Sequence, residues 1–311
     1  LGAAMVLVLA MEPPFEPLPE SPGALESRPA ETGFVLNRDN LTLADLLSRA
    51  SEAWSRDLAT WVLAMLLYWL LGIGVPMALG FVWAIVSGFQ QGGSDPGAMF
   101  TAVNVVVQVA MQLIQLVLTA IFTLGLWTMA IRGVLGKRVT VGVLFSQLSK
   151  IWKYILQSLA ISLGAVLVIL PILVVVFLMF IGPVDLNTPM SEIMDDAGAP
   201  IGIAFLILTP LYVYLATGIA FMQAELAYDD DAGPITAILA SWNIARGRRW
   251  RIIGVGIVAG FIAAGSFMLC GIGLLFGGPF AFLLFAALYL ALRNGADVPL
   301  GNTATTLGRD Y

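Results

Sequence analysis

The chain has 311 residues, of which 59% are hydrophobic and 11% charged, against roughly 25% charged in an ordinary soluble domain. A water-soluble fold of this size needs far more polar surface, so the excess apolar residues face lipid, and the bilayer is the first partner implied. Histidine is absent and Cys270 is the single cysteine. That removes the commonest general base and metal ligand, any intrachain disulfide and any cysteine-based zinc site.

Residues 1–11 are apolar but lack a basic n-region and run straight into Glu12-Pro13-Pro14. They match a signal peptide poorly, and an upstream start before Met5 or Met11 accounts for them equally well. Residues 12–40 hold six prolines and five glutamates. Pro and Glu at this density disfavour a packed core, so 1–40 is predicted to be a disordered segment.

Beyond it, charges are rare and clustered. Residues 59–94, 96–131, 154–184 and 197–224 carry none, and each is long enough for one transmembrane helix. Pro76, Pro171 and Pro210 fall inside these runs, and Pro76 is expected to kink the first. The last uncharged run, 252–292, would reach ~60 Å as one helix, about twice the hydrocarbon core. It must fold back, at Cys270-Gly271-Ile272-Gly273 or at Gly277-Gly278-Pro279. The predicted fold class is therefore all-α, a polytopic helical membrane protein with about six spans.

The basic residues orient it. Arg28, Arg38, Arg49 and Arg56 precede the first span. Arg132, Lys137, Arg138, Lys150 and Lys153 separate the second from the third. Arg246, Arg248, Arg249 and Arg251 separate the fourth from the fifth, and Arg293 and Arg309 follow the last. The other connections hold only Asp95, Asp185, Glu192, Asp195 and Asp196. The positive-inside rule puts both termini and the two basic loops in the cytoplasm, which implies a multi-pass protein of the cytoplasmic (inner) membrane. An even number of spans requires the same result.

An internal repeat groups the spans. LTLADLLSRASEAW (Leu41–Trp54) and VTVGVLFSQLSKIW (Val139–Trp152) match without a gap at Thr42/Thr140, Leu46/Leu144, Ser48/Ser146, Ser51/Ser149 and Trp54/Trp152. ITAILASWNIARGRRW (Ile235–Trp250) resembles them with a two-residue insertion. Leu46, Leu47, Ala50, Ala53 and Trp54 share one face at helical spacing, with Arg49, Ser51 and Glu52 elsewhere. Each unit is expected to be an amphipathic interfacial helix, a tryptophan, then a transmembrane hairpin. Thr42 followed by Asp45 resembles a capping box, and Pro234 suits a first helical turn. The membrane domain, 41–295, then divides into units of about 41–135, 139–225 and 234–295, followed by a short cytoplasmic tail, 296–311.

Ile238–Leu292 carries a family resemblance. Ser241-Trp242, Gly247–Trp250 and a glycine-rich turn before the final span resemble the C-terminal half of a group of bacterial membrane proteins. That group includes the membrane domain attached to some glycerophosphoryl diester phosphodiesterases. The resemblance implies a multi-span helical module over roughly 41–295 and no assigned catalytic residue. The phosphodiesterase domain, a separate barrel, has no room in this chain.

Three features could carry function. In the second span Thr101, Asn104, Gln108, Gln112, Gln115 and Thr119 follow spacings of three and four residues, which is one helical face. Amides in lipid need partners, so this face is expected to point into the bundle or a cavity. It serves either interhelical hydrogen bonding or a polar path or headgroup groove. Arg246, Arg248, Arg249 and Arg251 set orientation or contact anionic lipid headgroups. Glu225 ends the fourth span beside Gln223 and reads as a solvated helix end; no span centre carries an ionisable group, which disfavours an ion-coupled pump. Nucleic acid is no partner for so short a patch pressed against the membrane.

No nucleophile–base pair, phosphate loop or metal cluster is visible, and no cofactor is implied. The sequence points first to a non-enzymatic membrane scaffold or accessory module with membrane-protein partners. A permease-like or lipid-handling protein using the second-span stripe comes next, and an intramembrane enzyme third.

Overall fold

A computed structural model describes residues 36–180 apart from 37, 40 and 92–97, and residues 208–296 apart from 270, 271 and 295. These belong to one compact unit, Leu36–Tyr311. Every regular element among them is helical, and the chain is a polytopic helical membrane protein. In order the helices are α1 (Leu43–Arg56), α2 (Leu58–Leu67), a π-helical stretch (Tyr68–Gly74), α3 (Val75–Gln91), α4 (Ala98–Val134) and α5 (Ile151–Phe180). They continue with α6 (208–219), α7 (Met222–Tyr228), α8 (Pro234–Ala245), α9 (Arg249–Met268) and α10 (Leu274–Arg293).

Among the described residues, five apolar helical segments are long enough to cross a bilayer: Leu58–Ser87, Val103–Val134, Val141–Pro171, Arg249–Met268 and Leu274–Arg293. The predicted fourth span lies outside the described residues up to 207; from 208 to 219 it is α6. The segment up to 35 and the tail beyond 296 also lie outside them. The long apolar run folds back where expected, with α9 ending at Met268 and α10 starting at Leu274. Gly277-Gly278-Pro279 is no break. The glycines are there for packing: a Cβ on Gly277 would lie 1.9 Å from the Ser266 hydroxyl oxygen, and one on Gly278 2.4 Å from the Met65 methyl carbon. In the first span a π-helical turn precedes Pro76, the wider turn accommodating a residue that cannot donate its backbone bond.

The three repeat segments differ in structure. α1 is capped as predicted, the Asp45 amide donating to Thr42 Oγ1 at 3.2 Å. Its apolar face, with Leu46, Ala50 and Ala53 buried, packs on α10 and α4 instead of lying open to lipid. The second segment is not an α-helix but two 3-10 turns, Val141–Phe145 and Leu148–Lys150. Its backbone is pressed against α4 so closely that a Cβ on Gly125 would sit 2.1 Å from the Leu144 carbonyl oxygen. The third is α8, starting at Pro234. Of the three matched tryptophans, Trp152 and Trp250 are exposed, as an interfacial belt requires, while Trp54 stacks edge-on against Phe280.

α10 is the hub, packing on α1, α2, α4, α8 and α9. Of its apolar stretch 56% is buried, against 11% in each of the first three spans. The core lies where the basic segments meet. Arg56 donates to the Gly133 carbonyl at 2.8 Å, Arg251 to the Arg38 carbonyl at 2.8 Å, and the Asn294 amide to the Leu36 carbonyl at 3.0 Å. The chain before the first span, the loop after the second, the start of α9 and the end of α10 thus share one end of the bundle. The last part of the segment expected to be disordered is held there as well: Arg38 donates to the Arg246 carbonyl and Asp39 pairs with Arg248 at 2.6 Å.

Candidate functional site

The basic end contains a buried ion pair. Glu225, the fourth residue of α7, is 2% exposed, and Arg293 closes α10. Arg293 Nε donates to Oε2 of Glu225 at 2.9 Å and Nη2 to Oε1 at 2.9 Å, a bidentate fork. The hydroxyl of fully buried Tyr289 donates to the same Oε2. The Arg293 guanidinium lies 4.4 Å from the centre of the Tyr228 ring, a cation–π contact. Glu225 is therefore not a solvated helix end. Its carboxylate is enclosed and saturated because α10 brings an arginine and a phenol to meet it.

Beside it, two lysines close the end of α7. Lys150 Nζ donates to the carbonyls of Leu226 (2.8 Å), Ala227 (3.3 Å) and Asp229 (3.3 Å), and pairs with Asp230 at 2.5 Å. Lys153 Nζ donates to the carbonyls of Asp230 (2.6 Å) and Ala232 (3.0 Å). Cations at a helix C-terminus satisfy its orphan carbonyls and complement its dipole. Fully buried Gln157 adds bonds to the carbonyls of Met222 (3.3 Å) and Pro234 (3.5 Å). Between these lysines, α4 and Tyr228 lies a cleft of about 400 Å³ into which Arg132 also faces.

Ser241 and Trp242, two of the residues behind the family resemblance, repair the break between α6 and α7. The buried Ser241 hydroxyl donates to the Gly218 carbonyl (2.9 Å) and accepts from the Phe221 amide (3.0 Å). The Trp242 ring lies on Gly218, where a Cβ would come within 2.2 Å of it.

The predicted arginine patch is largely turned to internal use. Arg248 pairs with Asp39, and Arg251 donates to the Arg38 carbonyl. Arg249 stacks 3.5 Å from the Tyr214 ring centre and 4.4 Å from that of Trp242 while donating to the Tyr214 carbonyl. Arg246 stays exposed.

The α4 stripe faces the opposite way from expectation. Gln108, Gln112 and Gln115 are exposed, and Asn104 and Thr119 half-buried; the side chain of Thr101 lies outside the described residues. Gln108 and Gln112 flank a shallow trough of about 410 Å³ with Val105, Val109, Leu113 and Leu116. Periodicity identified the face correctly, but none of the described helices covers it. Sequence reasoning used Lys150 and Lys153 only to orient the chain and passed over Gln157, although their spacing of three and four marks one polar face by the same rule. The Glu225–Arg293 pair, 68 residues apart, leaves no local signal.

Comparison with protein families, with curated proteins and with solved structures finds no match for this chain.

Proposed function

We propose that this chain is a non-enzymatic accessory module of the cytoplasmic membrane, its basic end inside the cell, that assembles through the polar face of α4 with a second copy of itself. The observation that carries this reading is the outward position of Gln108, Gln112 and Gln115, on a surface otherwise made of residues such as Val105, Val109 and Leu113. An amide facing hydrocarbon without a partner costs several kcal/mol, so this face calls for another chain. A second copy, related by a two-fold axis along the membrane normal, brings identical amides to identical depths. Each glutamine both donates and accepts, so the pairing is self-complementary. A foreign helix would need polar groups matched to these depths by coincidence.

Two further points support the reading. Among the described residues the outward stripe lines an open trough and no path through the bundle, which favours association over permeation. Glu225, the acid an intramembrane enzyme would use, is committed to Arg293 and Tyr289. The resemblance to a phosphodiesterase-associated membrane domain without assigned catalytic residues agrees with a non-enzymatic role.

Disulfide trapping in membranes tests it, on a Cys270→Ser background. Gln108→Cys and Gln112→Cys should each crosslink between copies under mild oxidation, and Val106→Cys, on another exposed face of α4, should not. Gln108→Leu with Gln112→Leu should weaken dimerisation about ten-fold, since interhelical hydrogen bonds contribute roughly 0.6 kcal/mol each and up to ~2. Equal crosslinking at all three positions, or a monomer at every concentration, would sink the proposal.

A further inference from the structure

The cleft at the basic end has the chemistry of an anion site, and nothing in the association through α4 uses it. Arg132, Lys150 and Lys153 line it against one carboxylate, Asp230, which Lys150 already neutralises. Three cationic side chains thus line the cleft with a single carboxylate. Polar side chains complete the wall: those of Gln147 and Ser149 line it and make no side-chain hydrogen bond among the described residues. Lys153 gives two of its three ammonium hydrogens to carbonyls and keeps one. The lysines are fixed in place by carbonyls of the α7 loop, so the cations are positioned before any ligand arrives.

The surroundings say what kind of anion fits. Trp152, exposed between Lys150 and Lys153, marks the interfacial depth at which phospholipid phosphates lie. Below Lys153 on the same face of α5 run Leu156, Leu163 and Leu167, all exposed, at offsets of 3, 10 and 14 residues that form one continuous helical track. A diester phosphate held in the cleft would have its acyl chains along that track. We propose that the cleft formed by Arg132, Gln147, Ser149, Lys150 and Lys153 binds a phosphate group, and that its source is an anionic phospholipid whose chains lie on α5.

The test uses the detergent-solubilised full chain and dioctanoyl phosphatidylglycerol, with dioctanoyl phosphatidylcholine and inorganic phosphate as the other arms. Binding is read by native mass spectrometry and by tryptophan emission. Phosphatidylglycerol should bind at least ten-fold more tightly than phosphatidylcholine, and inorganic phosphate should compete only weakly. Ser149→Glu places a negative charge in the cleft at an exposed position without breaking an internal bond. It should reduce affinity about five-fold or more, the usual weight of one charge at a membrane surface. Arg138→Gln, an exposed charge at the basic end that does not line the cleft, should leave it unchanged. Lys153→Gln, whose fold is checked separately by thermal unfolding, should weaken binding similarly to Ser149→Glu. Inorganic phosphate binding as tightly as the lipid would keep the phosphate site but overturn its lipid source. Equal binding of the two lipids, or a Ser149→Glu variant that binds as the parent does, would overturn the site itself.

Discussion

The two halves of α4 are made of similar residues and live in different surroundings. From Ala120 to Val134 the helix is almost wholly buried, wedged among α10, α7 and the 3-10 turns. From Val103 to Val117 most side chains are exposed, three glutamines among them. In the first half polar groups are few and engaged, as when the Thr128 hydroxyl bonds back to the Leu124 carbonyl at 2.9 Å. In the second half they are repeated, and the glutamines have no hydrogen-bond partner among the described residues. The contrast teaches that the basic end holds the packed architecture of the described residues, while the polar groups of the other half stand on a face that none of the described helices covers.

The sharpest way to break the comparison is at the buried pair. Arg293→Ala leaves the Glu225 carboxylate enclosed without its countercharge and should destabilise the protein by ~3–5 kcal/mol. Combining Glu225→Leu with Arg293→Met removes both charges and should cost less than either single change, because desolvation of the pair offsets much of its attraction. Reversible unfolding in mixed micelles measures both. A single change costing under ~1 kcal/mol would mean that water reaches the site.

Gly125→Ala comes next. Its new methyl group would meet the Leu144 carbonyl, and backbone cannot swing aside as a side chain can. A loss of ~1–3 kcal/mol is expected, with displacement of the 3-10 turns. Ala110→Leu, in the exposed half of the same helix, should change stability by no more than ~0.5 kcal/mol. Similar losses at both positions would erase the distinction between the halves.

These differences mark where the sequence was legible. Uncharged runs of sufficient length gave the spans, because an unpaired backbone in lipid leaves a helix as the economical solution. The clustering of basic residues foretold their meeting at one end, and Thr42 announced its cap. Periodicity shows that polar residues share a face but carries no information about what that face meets, so the α4 stripe was expected inside and stands outside. Helical propensity failed at Val139–Lys150 for a tertiary reason: contact with α4 at Gly125 holds that segment in 3-10 turns although its counterpart α1 is a full helix. Gly277-Gly278 was ambiguous because glycine serves both chain reversal and close helix packing, and only the positions of Ser266 and Met65 decide between them.

The smallest expected effect lies in a pair of glutamines, one from each region. Gln157 is fully buried at the basic end and donates to the carbonyls of Met222 and Pro234. Gln157→Leu should cost ~1–3 kcal/mol, since it leaves two enclosed carbonyls with fewer donors. Gln112 is exposed on α4 and has no hydrogen-bond partner among the described residues. Gln112→Leu should therefore leave the unfolding free energy of the detergent-bound monomer within ~0.5 kcal/mol of the parent, while lowering the yield of crosslinked dimer in membranes. If Gln112→Leu instead destabilises the isolated monomer as much as Gln157→Leu does, the stripe is satisfied within the chain. Both regions would then be architecture, and a second copy would no longer be needed to explain the glutamines.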